Sequence, residues 1–272
     1  MFIIDKIKTI YRSRLLISTL VNRELKARYR GSVLGFLWTF LNPMLLMAVY
    51  TLAFGIILKP RYPNPELKTA LDYSLFLFSG LLPWIWFSSS IIEGGNVLFV
   101  HGSMIKKVMF PVETLPIMTV TANFINFLLG LPILIIFFIA LGHPITPYFL
   151  FSIPVMIIQF FFTLGLAFFI AALTVHFKDI QNLIANLLTL WFFATPIIYP
   201  FSFDTIQKSS WIKTALLLNP LTHIIEGYQY SFFFGSLPHY KKLMVTFIFS
   251  LLIFVMGYYF FDRVKDTFAE EV

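Results

Sequence analysis

The sequence predicts an all-helical integral membrane protein with six transmembrane helices. Three observations indicate this class: 58% of the 272 residues are hydrophobic, only 12% are charged, and several long stretches carry no charged residue. Soluble domains contain roughly 25% charged residues, about twice the share found here. We therefore expect lipid rather than water around most of the protein surface.

The first predicted span is residues 33–58, a run of 26 residues without charge that contains Asn42-Pro43. It exceeds the roughly 20 residues that a helix needs to cross the hydrocarbon, where a helix satisfies its own backbone groups. Residues 1–32 contain eight Lys or Arg, which favours a cytoplasmic N-terminus. Gly31 and Gly35 suit either close helix packing or a flexible turn.

An amphipathic pattern precedes this span. On a helix, one arc is apolar and the opposite arc is basic. The apolar arc comprises Ile17, Leu20, Val21, Leu25 and Tyr29, and the basic arc comprises Arg23, Lys26 and Arg30. The pattern predicts a helix along the cytoplasmic surface, and the alternative is a basic topology signal with incidental periodicity. Arg28 intrudes on the apolar arc, from which its guanidinium can reach the lipid headgroups.

Five further uncharged runs complete the predicted bundle, and each is long enough, or nearly so, to cross the membrane. They are residues 73–92, 115–141, 148–175, 183–203 and 243–261. Six spans place both termini on the same, cytoplasmic side. We therefore divide the single domain, residues 1–272, into a cytoplasmic amphipathic segment 1–32, a six-span region 33–261 and a cytoplasmic tail 262–272.

Residues 209–242 permit two interpretations. Asn219-Pro220 separates two mostly apolar pieces, residues 211–218 and 221–235, and each is too short to cross the membrane alone. We predict a re-entrant hairpin on the outer side that contains Pro220, His223 and Glu226. The alternative is a seventh span, which would place the C-terminus outside.

Several chemistries are excluded by what the sequence lacks. The absence of cysteine excludes disulfides, thiol catalysis and Cys-ligated metal sites. No Gly is followed by Lys, so the chain has no Walker A phosphate loop and cannot be a P-loop ATPase by itself. The six predicted spans contain no charged residue, which disfavours an ion-coupled transporter. The net charge of +7 suits loops beside anionic lipid better than nucleic acid.

The segment between the second and third spans, residues 93–114, predicts one short helix parallel to the membrane. It contains an apolar run, residues 97–100, followed by Lys106 and Lys107. An exposed apolar patch with a basic rim suits docking into a partner's cleft. A loop that rests on lipid headgroups is the alternative.

Four stretches of the chain resemble, in order and spacing, the ABC-2 type permeases that export polysaccharides such as O-antigen, capsule and teichoic acid. These stretches are residues 28–55, 78–98, 105–116 and 194–229. The resemblance covers nearly the whole chain. It implies a homodimer with six spans per subunit and short outer helices between spans five and six. It also implies two copies of a separate cytoplasmic ATPase, which would bind the ATP and Mg, while this chain holds no cofactor and no metal.

The resemblance also implies roles for particular residues. A coupling helix within residues 93–114 would dock on the ATPase, and spans one and five would line much of the channel. The expected coupling residues are Val97, Leu98, Phe99, His101, Met104, Lys106 and Lys107. The candidate lining residues are Trp38, Tyr50, Phe54, Trp191, Phe193 and Tyr199, whose aromatic faces would let sugar rings slide.

The resulting hypothesis is a non-catalytic permease that exports a lipid-linked polysaccharide across a bacterial cytoplasmic membrane with energy from the partner ATPase. One alternative is an ABC-2 exporter of a small lipid or drug. A less favoured alternative is a membrane-embedded transferase acting on a lipid-linked sugar. Its candidate catalytic groups would be Asp72, Glu93, Glu113, Asp179 and Glu226.

Overall fold

The computed structural model describes residues 13–57, 67, 69–107, 110–177 and 179–272. Within these ranges the chain is helical and contains no strand. The first half contains α1 (Arg14–Tyr29), α2 (Trp38–Tyr50), α3 (Ala70–Val100), α4 (Gly102–Lys107) and α5 (Thr114–Ala140). The second half contains α6 (Ser152–His176), α7 (Ile180–Phe193), α8 (Asp204–Lys208), α9 (Ser210–Leu218), α10 (Pro220–Phe232), α11 (Tyr240–Val264) and α12 (Phe268–Glu271).

In the described part of the chain, four helical segments are long and apolar enough to cross a membrane. They are Ala70–Val100, Thr114–Ala140, Pro147–His176 and Tyr240–Glu271. Two shorter apolar segments, Trp38–Phe54 and Ile180–Phe193, occupy the positions of the first and fifth predicted spans. The protein is therefore a multi-pass membrane protein.

Both shorter helices deviate from a continuous span. The prediction of one helix over residues 183–203 is wrong, because α7 ends at Phe193 and residues 194–203 form turns. Pro196 and Pro200 lie in these turns, and a proline lacks the backbone N–H that continues a helix. In the first span, a 3₁₀ turn at Gly35–Leu37 precedes α2, and π-helical turns at Thr51–Ile57 follow it.

The long helix α3 is the centre of the bundle, and α5 and α6 pack along it. Its side chains Phe76, Phe78 and Phe87 are completely buried. The helices α6 and α11 form another extensive contact. Because α3 is covered on several sides, it is the scaffold against which the remaining helices are positioned.

The bundle has two distinct ends. One hydrophobic cluster contains side chains of α1, α4 and the C-terminal residues, together with the last turns of α6 and α11, and we call this the α4 end. At the opposite end, which we call the α10 end, His143 Nε2 lies 2.9 Å from Asp72 Oδ1 and joins the start of α3 to the end of α5. The side chain of Asp72 also caps α3 by accepting from Thr69 N (2.8 Å).

The amphipathic helix predicted before the first span is present as α1. Leu20 and Val21 are buried against the bundle, where α1 packs on α5, whereas Arg23, Lys26 and Arg30 are exposed. The two alternatives for Gly31 and Gly35 are decided in favour of a turn. Both residues have left-handed φ values, 80° and 47°, and a Cβ added at either one would have no neighbour within 4 Å.

The segment of residues 209–242 divides at Asn219-Pro220, as the sequence predicts. The helices α9 and α10 contain 9 and 13 residues. At about 1.5 Å per residue they reach roughly 14 and 20 Å, and each is too short to cross the hydrocarbon alone. The first helical position of α10 is Pro220, and Asn219 caps the helix by accepting from Leu221 N (3.1 Å).

Candidate functional site

The predicted coupling segment divides into two parts with different exposure. Helix α3 continues through residue 100, so Val97 and Leu98 lie inside the bundle with 3% and 0% of their surface exposed. The expectation that they form an exposed patch is wrong, because the apolar run continues a long buried helix. Phe99 is half-buried, and His101 Nδ1 lies 3.1 Å from the carbonyl oxygen of Val97.

Among the described residues of this segment, Val100 at the end of α3 is 71% exposed, and further accessible side chains follow on α4. Its side chains Ser103, Lys106 and Lys107 are exposed, while Met104 and Ile105 turn partly into the cluster at the α4 end. The short helix therefore has one face anchored to the bundle and a basic face directed outward. Such a helix can transmit a displacement from a bound partner into the bundle.

A polar cluster joins α1, α3 and α5 next to this end. Arg28 Nη1 donates to Asn123 Oδ1 (2.8 Å), and Arg28 Nη2 donates to Glu93 Oε2. Asn123 Nδ2 donates to the same Glu93 oxygen (2.7 Å), and Arg28 Nε lies 3.5 Å from Glu24 Oε1. The expectation that Arg28 reaches the headgroups is wrong, because carboxylate and amide partners lie within the bundle.

A cavity of about 330 Å³ adjoins this cluster. Trp38, Asn42 and Pro43 of α2 line one side, and Trp86 and Asn126 lie among the residues on the other. The cavity therefore lies where the Asn42-Pro43 dipeptide weakens the hydrogen bonding of α2. Space beside a proline-containing helix allows that helix to move without a clash.

Several of the candidate lining residues come together in an aromatic group. The Tyr50 ring stacks on Phe192 with 5.5 Å between ring centroids. The ring of Phe54 also contacts Tyr50, with 6.2 Å between centroids. Phe193 is 50% exposed, and its carbonyl oxygen accepts from Tyr199 Oη (2.9 Å). Trp38 lies apart from this group, beside the cavity.

Trp191 is held in place by Asn219, at the boundary between α9 and α10. Its Nε1 donates to Asn219 Oδ1 (2.9 Å), and Asn219 Nδ2 donates to Thr195 Oγ1 (3.0 Å). Its ring also meets Phe87 edge-on at 5.5 Å. Asn219 therefore joins the end of α7 to the start of α10. Sequence reasoning identified Asn219 only as a helix boundary, although a polar side chain in an apolar segment is a signal for such a role.

The three residues predicted in the outer segment occupy different environments. Pro220 starts α10, while Glu226 is buried with Lys242 Nζ at 3.8 Å and His223 Nδ1 at 4.0 Å. Burial raises the pKa of Glu226 to about 7, and Lys242 acts in the opposite direction. Burial also lowers the pKa of His223. Glu226 further lines a cavity of about 280 Å³ together with Phe201 and Tyr230.

The acidic residues proposed for a transferase are distributed over separate contacts. Asp72 faces His143, Glu93 faces Arg28, Glu113 faces Lys265 and Glu226 faces Lys242. Asp179 precedes α7. Among the described residues, no group of three or more His, Asp or Glu is positioned to hold a metal ion. Each of these four carboxylates has a cation or a histidine as a partner, and Glu93 also accepts from Asn123, which is an arrangement for helix packing.

Comparison with known proteins decides the family. The sequence profile of the family described as ABC-2 type transporter matches residues 16–233, which include every helix from α2 to α10. The chain belongs to the ABC-2 type transporter family. The resemblance expected from the sequence is thereby confirmed.

Curated relatives of this ABC-2 transporter cover nearly its whole length. It is 41% identical to the O-antigen export system permease protein RfbA of Myxococcus xanthus, over 98% of both chains. It is 32% identical to the protein of the same name from Klebsiella pneumoniae, over 94% of both chains. It is 23% identical to the polysialic acid transport protein KpsM of Escherichia coli, over 89% of this chain and 90% of that one.

Proposed function

We propose that this ABC-2 transporter is the permease subunit of an exporter that moves a lipid-linked polysaccharide across the bacterial cytoplasmic membrane. The observation that carries the proposal is the 41% identity to an O-antigen export permease along essentially the entire length of both proteins. An identity that extends over the spans, the coupling segment and the outer helices supports a shared transport task. The chain is accordingly a transport subunit rather than an enzyme.

The proposed topology has six spans with both termini in the cytoplasm. Four spans are the long apolar helices α3, α5, α6 and α11, and the other two are formed around α2 and α7. The placement of α1, α4 and the C-terminal residues at one end of the bundle supports a common cytoplasmic side. The basic side chains of α1 also favour that side.

The energy source in this proposal is a separate ATPase, present in two copies, that binds ATP and Mg. The lack of a Walker A motif in this chain supports a separate subunit. The exposed basic side chains Lys106 and Lys107 support α4 as the contact with the ATPase. Met104, beside them, would anchor that contact to the bundle.

The proposed translocation path lies between two copies of the chain. Apolar side chains remain exposed on α2 and α7, the helices that carry the aromatic candidates. They include Leu45 and Val49 of α2, Leu52 of the π-helical turns that follow α2, and Leu183, Leu187 and Leu190 of α7. Two such surfaces facing each other would enclose a path lined by Trp38, Tyr50, Phe54, Phe193 and Tyr199, with Trp191 positioned behind them.

The proposed transport cycle needs no chemistry in the permease. ATP-dependent closure of the ATPase pair displaces α4, and α3 and α5 move with it because they flank it in the chain. The path then opens where Pro43 and the cavity beside it allow α2 to bend. The permease contributes by stabilising two conformations to different extents in the two nucleotide states.

The test uses a strain that synthesises the lipid-linked polymer but lacks its permease. The chain is expressed there together with the ABC ATPase proposed as its partner, and polymer on the cell surface and ATP hydrolysis by the purified complex are measured. We expect export only when both proteins are present. Export without the ATPase, or export of a small lipid or drug without the polymer, would overturn the proposal.

A charge-reversed variant tests the role of α4. Lys106→Glu with Lys107→Glu keeps the fold because both side chains are exposed, and it should reduce polymer export about tenfold, a common size for coupling between sites. The matched control is Lys208→Glu with Lys213→Glu, which lie in the outer segment. Normal export in the α4 variant at normal membrane levels would contradict the assignment.

A further inference from the structure

The last eight residues of the chain, residues 265–272, fold back against α4, and we call them the C-terminal segment. We propose that this segment is a second part of the ATPase-coupling device, which supports α4 from behind and links it to α11. The proposal rests on the proposed function in one respect, namely that α4 contacts the ATPase. Three independent contacts support it.

The first contact is an aromatic anchor. Phe268 has none of its surface exposed, and its ring lies 5.1 Å from that of Phe261, which is also completely buried. Phe261 in turn meets Phe168 of α6 at 5.1 Å. A buried phenylalanine at this position attaches the C-terminal segment to the hydrophobic cluster that also contains Met104 and Ile105 of α4.

The second contact is between the first residue of α4 and the last residue of the C-terminal segment. A Cβ atom added to Gly102, the first residue of α4, would lie 2.5 Å from Val272 Cγ1 and 3.6 Å from Val272 Cβ. Only glycine fits there without displacing the last residue of the chain. Val272 therefore lies against the start of α4.

The third contact is an ion pair. Lys265 Nζ lies 2.7 Å from Glu113 Oε1 and 2.9 Å from Asp262 Oδ1. Glu113 is 6% exposed and immediately precedes α5. A carboxylate at this depth needs its cation, so the pair holds the connection between α4 and α5 against the end of α11.

Through these contacts, α4 is connected to a helix that is not its neighbour in the sequence. In sequence, α4 is flanked by α3 and α5, and the C-terminal segment adds a contact to α11. The helix α11 then contacts α6 closely, because Gly257 lies against the backbone of Gly165. A displacement of α4 is therefore transmitted to α3 and α5 along the chain and to α11 through the C-terminal segment, and α6 packs against all three of these helices.

The surface that results has charges of both signs. Lys106 and Lys107 are exposed on α4, and Glu270 and Glu271 are exposed on α12, which contacts α4. An ATPase cleft that receives α4 would meet both helices. The C-terminal segment thus belongs to the docking surface as well as to its support.

A cysteine pair tests the contact itself. The chain has no cysteine, and the 3.6 Å separation at Gly102 and Val272 falls within the usual Cβ–Cβ range of a disulfide, about 3.5–4.5 Å. In membranes without the ATPase, the variant Gly102→Cys with Val272→Cys should form an intrachain disulfide on oxidation, detected as protection from a maleimide-polymer mass tag. The matched control is Ser103→Cys with Val272→Cys, in which residue 103 is exposed. Its thiols should remain reactive toward the maleimide tag.

The same variant tests the function of the contact. Together with the ATPase, the oxidised Gly102→Cys/Val272→Cys protein should export polymer as well as the reduced protein, because α4 and the C-terminal segment move together. Export by the reduced form alone would show that the segment must leave α4, and would overturn the proposal. Failure of the disulfide to form would overturn it as well.

Removal of the Phe268 ring, the aromatic anchor, provides a further test. Added to the cysteine pair, Phe268→Ala should lower the yield of the Gly102→Cys/Val272→Cys disulfide. Alone, it should reduce the polymer exported per ATP hydrolysed about tenfold, while the ATPase still co-purifies. Tyr259→Ala, which removes a half-exposed aromatic residue of α11, is the matched control. If Phe268→Ala is absent from membranes, Gly102→Leu displaces Val272 while it retains the anchor, and the same loss is expected.

The outcomes separate the two proposals. Normal coupling in whichever of these variants reaches the membrane would overturn the role of the C-terminal segment. By contrast, a wild-type protein that neither exports polymer nor stimulates the ATPase would overturn the proposed function. The disulfide assay is readable in both cases because it requires no ATPase.

Discussion

At the scale of single residues, the polar side chains of this protein connect helices to one another. Arg28 shows the principle, because its planar guanidinium bonds to both Asn123 and Glu93 from a helix that precedes the first span. A guanidinium has five donors in a rigid arrangement that matches a carboxylate and an amide together. Such a residue positions α1 against α3 and α5 more specifically than apolar contact alone would.

Removing this connection should have a measurable cost. In a double-mutant cycle, Arg28→Ala and Glu93→Ala should each destabilise the protein, with a coupling energy of about 1–3 kcal/mol, as for hydrogen bonds between charged groups. The free energy of unfolding in mixed micelles, titrated with a denaturing detergent, measures the effect. Strict additivity of the two substitutions would contradict the interaction.

The matched control for this cycle is Arg30→Ala. Arg30 is exposed at the end of the same helix, and substitutions at such sites usually change stability by no more than about 0.5 kcal/mol. A loss at Arg30 equal to that at Arg28 would indicate a general effect of charge on α1.

At the scale of helices, the contact between α6 and α11 depends on two glycines. A Cβ at Gly165 would lie 2.5 Å from the Cα atom of Phe254, and a Cβ at Gly257 would meet the carbonyl oxygen of Gly165. In lipid, where apolar side chains gain little from leaving the solvent, close backbone approach is a principal source of helix association. The whole length of α11 is therefore positioned by a contact that only small residues permit.

A larger residue at this contact should separate the two helices. Gly257→Leu should destabilise the protein by at least about 1–3 kcal/mol, since overpacking forces the backbones apart. Val255→Leu, at a position with 51% exposure on the same helix, is the control and should have little effect. Detergent titration of both variants measures the difference, and equal stability would contradict the assigned contact.

At the scale of the whole molecule, the chain leaves apolar side chains exposed on both α2 and α7. These helices are shorter than the other proposed spans, and their exposed leucines lie beside an aromatic group. A lipid-facing helix needs apolar side chains but gains nothing from such a group. In the proposed function, this surface is the contact with a second subunit and borders the transport path between the two copies.

This assignment predicts which engineered thiols will meet across the dimer. Leu187→Cys on α7 should form a disulfide-linked dimer when membranes are oxidised, because Leu187 is 49% exposed on the proposed subunit interface. Val245→Cys on α11, with 68% exposure, should remain monomeric as a lipid-facing control. Gel electrophoresis without reductant measures both, and a dimer from Val245→Cys alone would contradict the interface.

The sequence predicted much of the arrangement along the chain but less of the arrangement between helices. The helical class, the amphipathic α1 and the interruption at Asn219-Pro220 follow from composition and local pattern. The early end of α7 did not follow, because hydrophobicity alone cannot distinguish a helix from buried turns. The burial of Val97 and Leu98 also did not follow, because it depends on α3 continuing past the membrane-spanning part of its length.

By itself, the sequence determined the membrane class, the predicted order of the helices and the resemblance to ABC-2 permeases. These properties are local or additive, since hydrophobicity and charge are summed over neighbouring residues. Only the tertiary structure decided that Arg28 meets Asn123, that Gly165 meets Gly257 and that Gly102 meets Val272. The members of these pairs are far apart in the chain, and their contacts depend on how each helix is rotated and crossed against its neighbours.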